Sequence, residues 1–173
     1  MKQGIAIMLL LLLPFGLWGC AEEPELSAPV SFYYLRAPLP NGEVIHGTTD
    51  SVILADIRES AGRETDYDYL LKLYLTGPQN NKYQNPFPRS TFLTGFTLEN
   101  GTATLVLTDN FAKLTGIDLS LACGCLTMTV LEMTGAEKVI IRVENELLSG
   151  KDQLVFDRNS FLLFDDTLPE TID

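Results

Sequence analysis

The first block of this chain's hydrophobic pattern differs from the rest. Ile5 to Leu13 is an unbroken apolar run behind the short basic start Met1-Lys2-Gln3-Gly4. It is far shorter than the roughly 20 residues needed to span a bilayer, and it reads as the apolar stretch of a secretory signal. Further on, Val30-Ser31-Phe32-Tyr33-Tyr34-Leu35 is β-branched and aromatic between Pro29 and Pro38, which predicts a strand. A turn or loop is expected over 38–50, where Asn41-Gly42 falls, and a second strand over Ser51 to Ile57. Leu70, Leu71, Tyr74 and Leu75 recur at helical spacing, with Asp66 or Thr65 placed to cap the first turn. Gly77-Pro78 ends that helix: glycine accepts a left-handed residue, and proline cannot continue the ladder. The polar, proline-rich stretch Gln79 to Arg89 reads as a loop.

Asn100-Gly101 is the sharpest local signal, because a two-residue type I′ turn needs positive φ at both central positions. It sets Glu99 opposite Thr102, Leu98 opposite Ala103 and Phe96 opposite Leu105. One face then carries Phe96, Leu98, Ala103, Leu105 and Leu107, and the other Thr97, Glu99, Thr102 and Thr104. Asn100-Gly101-Thr102 also spells a glycosylation sequon, but the turn explains those residues. Ile117 to Met133 fits two periods. Leu119, Cys123, Leu126, Val130 and Met133 keep helical spacing with Asp118 as a cap, whereas Leu126, Met128 and Val130 alternate with threonines as in a strand. Lys138 to Val143 is a strand, and Gln153 to Phe156 a short one.

The leader ends in Leu17-Trp18-Gly19-Cys20, which resembles a bacterial lipobox: an aliphatic residue, a bulkier than usual Trp18, a small residue, then cysteine. The expectation is cleavage before Cys20, a diacylglyceryl thioether on it, and attachment to the outer face of the cytoplasmic membrane. A two-chain anchor meets the condition for stable attachment without a spanning helix. Residues 1–19 are then signal peptide, 20–29 an acidic tether, 30–164 one domain and 165–173 an acidic tail. The whole chain has a formal net charge of −11, and loss of Lys2 with the leader makes it more negative still. Such a surface argues against nucleic acid and against adsorption to anionic lipid heads.

Several phrases, in order, resemble the GerMN domain family, a module of bacterial sporulation and germination lipoproteins. Ser31 to Leu35 is similar to the family's first strand, and Asp68 to Pro78 to its helix with a closing Gly-Pro. Phe92 to Thr108 is similar to its hairpin, and Thr129 to Val139 to the end of its second helix and the entry to its last strand. The likeness spans about Ser31 to Glu146. Glu144-Asn145-Glu146 departs from it, standing where the family has a Gly-containing turn, and a single domain is present where the namesake is similar to two in tandem. The resemblance implies an α+β fold, a mixed, mostly antiparallel sheet with two helices on one face, related to ring-building modules. It also implies a helix over Ile117 to Met133 and an extracytoplasmic, non-catalytic role through contact with an envelope or sporulation protein.

The residues carry little reactive chemistry. His46 is the sole histidine, and no Gly-x-Ser-x-Gly elbow accompanies it. Cys123 and Cys125 sit two apart, about 200° around a helix, which cannot grip one metal ion. A disulfide across one residue is strained, so both read as small apolar core groups. Glu22-Glu23 and Asp165-Asp166 lie in the flanks as solvated charge. No enzyme activity, cofactor or metal is expected. Tyr33, Tyr34, Tyr67, Tyr69 and Tyr74 are the candidate partner contacts, and the alternative role is a lipoprotein that binds a small ligand such as a cell-wall fragment.

Overall fold

The computed structural model describes residues 28–38 and 52–160. Cys20, His46 and both acidic flanks lie outside them. In chain order the described elements are β1 (Pro29–Arg36), β2 (Ile53–Glu59), α1 (Tyr67–Leu75), β3 (Tyr83–Gln84), β4 (Leu93–Glu99) and β5 (Thr102–Leu107). A 3-10 turn (Asp109–Lys113), α2 (Gly116–Thr134), β6 (Lys138–Val143) and β7 (Leu154–Phe156) follow. The α+β class is as expected, with mostly antiparallel pairs, and the strands divide into two sheets of order β2-β1-β3 and β4-β5-β6-β7.

Local chemistry explains most of the boundaries. Asp66 caps α1, its Oδ1 accepting from the Tyr69 N–H at 3.1 Å, and Gly77 turns away beyond Thr76 at φ 102°. The hairpin keeps the expected register, Glu99 to Thr102 and Phe96 to Leu105, with Asn100 and Gly101 at φ 49° and 72°. β5 and β6 run parallel, so the chain must cross over between them, and α2 is that crossover. Ala103, Leu105 and Leu107 line up with Val139, Ile141 and Val143 on the buried face.

Four details depart from expectation. Tyr83 and Gln84, inside the expected 79–89 loop, form a two-residue strand on Leu35 and Arg36; so short a strand shows no alternation to read. β2 runs two residues further than expected, to Glu59. Thr115, not Asp118, is the N-cap residue of α2, and Asp118 falls in the first turn. Leu98 is 38% exposed although it shares a face with buried Ala103. β4 is an outer strand, and α1 reaches it at Phe96, where Tyr67 packs edge-on at 6.0 Å.

The ambiguous segment is the centre of the molecule. Ala122 to Thr127 are all buried, so the middle of α2 is enclosed around its whole circumference. A helix apolar on every side belongs inside a fold or a membrane. α2 has the length and hydropathy to cross a bilayer, but it packs on β1 of one sheet and β6 of the other. It also completes β1. The Thr129 hydroxyl accepts from the Tyr33 N–H at 2.9 Å, and the Tyr74 hydroxyl donates to the Tyr33 carbonyl at 2.7 Å. The peptide groups on the side of β1 away from β2 thus find partners on two helices, as buried backbone must.

Candidate functional site

The five candidate tyrosines do not form one surface. Tyr34 and Tyr74 are fully buried, their ring centroids 5.0 Å apart, and the Tyr34 hydroxyl donates to the Tyr74 carbonyl at 2.6 Å. These two are core residues rather than contacts, and burial holds both phenols well above their ordinary pKa. Tyr67 and Tyr69 stay half-buried on α1, and the Arg63 guanidinium lies 4.2 Å over the Tyr69 ring. Tyr33 points its hydroxyl at α2, donating to Glu132 Oε2.

Cys123 and Cys125 are free and buried, and desolvation pushes both thiols up to about 12. The thiolate is the reactive form, so at neutral pH they are packing groups. Beside the tyrosine core, Arg58 Nη2 meets Asp56 Oδ2 at 2.7 Å and donates to the Gly77 carbonyl at 3.0 Å. Its guanidinium carbon stands 5.1 Å from the Phe32 ring centroid, and Nη1 has no partner. This buried ion pair ties β2 to the end of α1. It was readable as opposite charges two apart on one face of a strand, and the strand assignment passed over it.

Two hollows open along α2. The larger, about 660 Å³, lies by its N-terminal half, with Ile53, Leu119, Cys123, Leu154 and Phe156 in its lining and Lys151 as its charged group. Among the described residues, Val52, Ile57, Phe92, Ile117, Leu147 and Val155 are more than half exposed; Ile117 adjoins the lining residue Gly116 in sequence, whereas Val155, between Leu154 and Phe156 of β7, faces away from the hollow. The smaller hollow, about 220 Å³, lies by the C-terminal half and brings Tyr33, Thr127, Glu132, Asp157 and Arg158 together against Met128 and Leu131. Sequence reading missed both. One signal was available for the second: Glu132 is the only charged residue between Leu119 and Thr134.

Residues 32–149 match the Germane family, described as sporulation and spore germination. The chain belongs to the Germane family. The fold of this Germane domain is similar to a structure of tandem GerMN domains of the sporulation protein GerM from Bacillus subtilis. That likeness has a TM-score of 0.51 at 17% identity and covers 76% of this chain and 45% of the other. The chain thus spans less than half the length of that tandem structure. A candidate lipoprotein from Clostridium perfringens is also similar, with a TM-score of 0.47 at 17% identity over 76% of this chain and 87% of its own. No curated protein sequence matches. The expectation of a sporulation and germination domain with an α+β fold therefore stands.

Proposed function

We propose that this Germane domain is a lipid-anchored, extracytoplasmic module that works by protein–protein contact in an envelope assembly of sporulation or germination. The observation that carries the contact is the larger hollow itself, walled by Ile53, Leu119, Leu154 and Phe156, with the exposed Ile117 next in sequence to its lining residue Gly116. The occupant that suits it is a mainly apolar segment of a partner protein, since the lining is largely apolar carbon with Lys151 as its one charge and Ser120, Ser149 and Ser160 as its hydroxyls. The lipobox-like sequence at Cys20 supplies the tether, and an anchored domain meets anchored or envelope-bound partners at high effective concentration. The inert thiols are consistent with a role in binding rather than reaction.

Two variants of the full-length protein test this reading separately. Cys20→Ala is expected to leave the membrane fraction and lose lipid labelling, and a protein still labelled after that change contradicts the anchor. Ile117→Asp is expected to remain anchored and folded while losing its cross-linked envelope partner; unchanged cross-linking removes the contact surface.

A further inference from the structure

The smaller hollow holds polar groups that the fold does not use. Thr127 lines it at 1% exposure, and its hydroxyl has no hydrogen-bond partner among the described residues. Buried hydroxyls are nearly always satisfied, so an orphan in a cavity wall points to something that fills the cavity. Around it stand charges of both signs. Glu132 spends one carboxylate oxygen on the Tyr33 hydroxyl. Burial and that carboxylate raise Tyr33 to about 12, which keeps its proton in place as a donor. Asp157 spends Oδ1 on the Ser160 hydroxyl at 2.8 Å and the Asn159 N–H at 2.9 Å. Each acid thus keeps one oxygen uncommitted among the described residues. Arg158 is exposed at the rim and makes no ion pair among them. Its charge is nevertheless felt at the Tyr33 hydroxyl.

We propose that this cavity binds a small zwitterion of the amino-acid class, with its carboxylate on Arg158 and its ammonium between Glu132 and Asp157. Guanidinium is the side chain best shaped for a carboxylate, and a primary ammonium has the three donors that two carboxylates and a hydroxyl oxygen can accept. On binding, the Thr127 hydroxyl, buried beside the cavity, turns to accept the third. Met128 and Leu131 supply an apolar wall for a short side chain. The size agrees: about 220 Å³ is the room of about seven waters and lies below the ~300 Å³ floor of drug-sized pockets. The site stands on the cavity and its orphan hydroxyl, and it is independent of the contact proposed for the other hollow.

Titration of the full-length protein with L-alanine and D-alanine, followed by NMR of the Thr127 and Met128 methyl groups, tests the proposal. The dipeptide L-alanyl-L-alanine distinguishes a free amino acid from a peptide end. Acetate and methylammonium each carry half of the recognised chemistry and are expected to bind about tenfold or more weakly. Thr127→Val keeps the shape of the side chain and is expected to weaken binding several-fold with an unchanged melting temperature. Arg158→Gln is expected to weaken it about tenfold. Saturable shifts that follow this order support the site. Three results overturn it: no saturable shift with any probe, acetate binding as well as alanine, or binding indifferent to both variants. A high-resolution structure showing only ordered water on Thr127 in the presence of alanine overturns it as well.

Discussion

The two hollows along α2 are cut from one helix, yet they offer opposite chemistry. By the N-terminal half, small and apolar residues (Gly116, Leu119, Cys123) line a hollow with Leu154 and Phe156 of β7, and the exposed Ile117 follows Gly116. By the C-terminal half, Thr127 and Glu132 meet a tyrosine, an aspartate and an arginine. The difference follows from what each half must satisfy. The N-terminal half presents mostly carbon, its Ser120 hydroxyl being returned to the helix at the Gly116 carbonyl. The C-terminal half lies beside Tyr33 of β1, whose N–H and carbonyl take Thr129 and Tyr74, so polar groups are required there for the fold itself. Once polar groups line that side, a cavity among them is a place for a charged small molecule, whereas the other end suits a protein surface.

The comparison can be broken most severely at the helix that both hollows share. Leu126 is fully buried in α2, and Leu126→Ala is expected to cost about 2–5 kcal/mol in denaturant unfolding, disturbing both ends together. Thr129→Val strips the acceptor from the half-buried Tyr33 N–H and is expected to cost about 1–2 kcal/mol. Its damage should concentrate at the polar end, seen as faster amide exchange at Tyr33. Thr127→Val removes a hydroxyl that has no partner, so it is expected to leave stability unchanged or raise it by about 1 kcal/mol or less. A large loss there would mean that the hydroxyl is satisfied after all.

Smaller still is the effect of pH. Tyr33 rises from an ordinary 10.0 to about 12, first through burial and then through Glu132. The folded chain therefore keeps a proton that the unfolded chain sheds near pH 10. The stability this contributes is complete below pH 10 and is lost as pH climbs through 12. Tyr33→Phe is expected to flatten the decline over that window in denaturant melts, while Tyr34 and Tyr74, also raised, keep their share. An unchanged slope would separate Tyr33 from the polar cavity.

The legibility of the sequence follows the same division. Turn and cap chemistry is local, so Asn100-Gly101, Asp66 and Gly77 announced the hairpin and α1 with correct register and ends. Ile117 to Met133 stayed open between helix and strand because a helix enclosed on all sides loses the polar face that gives periodicity its meaning. Tyr74 shares the helical spacing of Leu70, Leu71 and Leu75, but nothing in the sequence sets Tyr34 apart from Tyr67 and Tyr69, since burial depends on partners distant in the chain. The polar cavity joins residue 33 to residues 127–132 and 157–158, and no local pattern links those three stretches. Glu132, the one charged residue between Leu119 and Thr134, was the visible trace of it.

The contact role is tested most directly by a photo-reactive residue placed at Ile117 in the anchored protein in living cells, beside a second copy of the experiment at Glu99. Ile117 is 76% exposed at the N-terminal end of α2. Glu99 adjoins the hairpin turn, where the Gly101 carbonyl accepts from the Glu137 N–H just past the C-terminal end. The helix between them is about 28 Å long. The account predicts a discrete protein adduct from Ile117 and none from Glu99; adducts from Glu99 alone, or equal adducts from both, would contradict it.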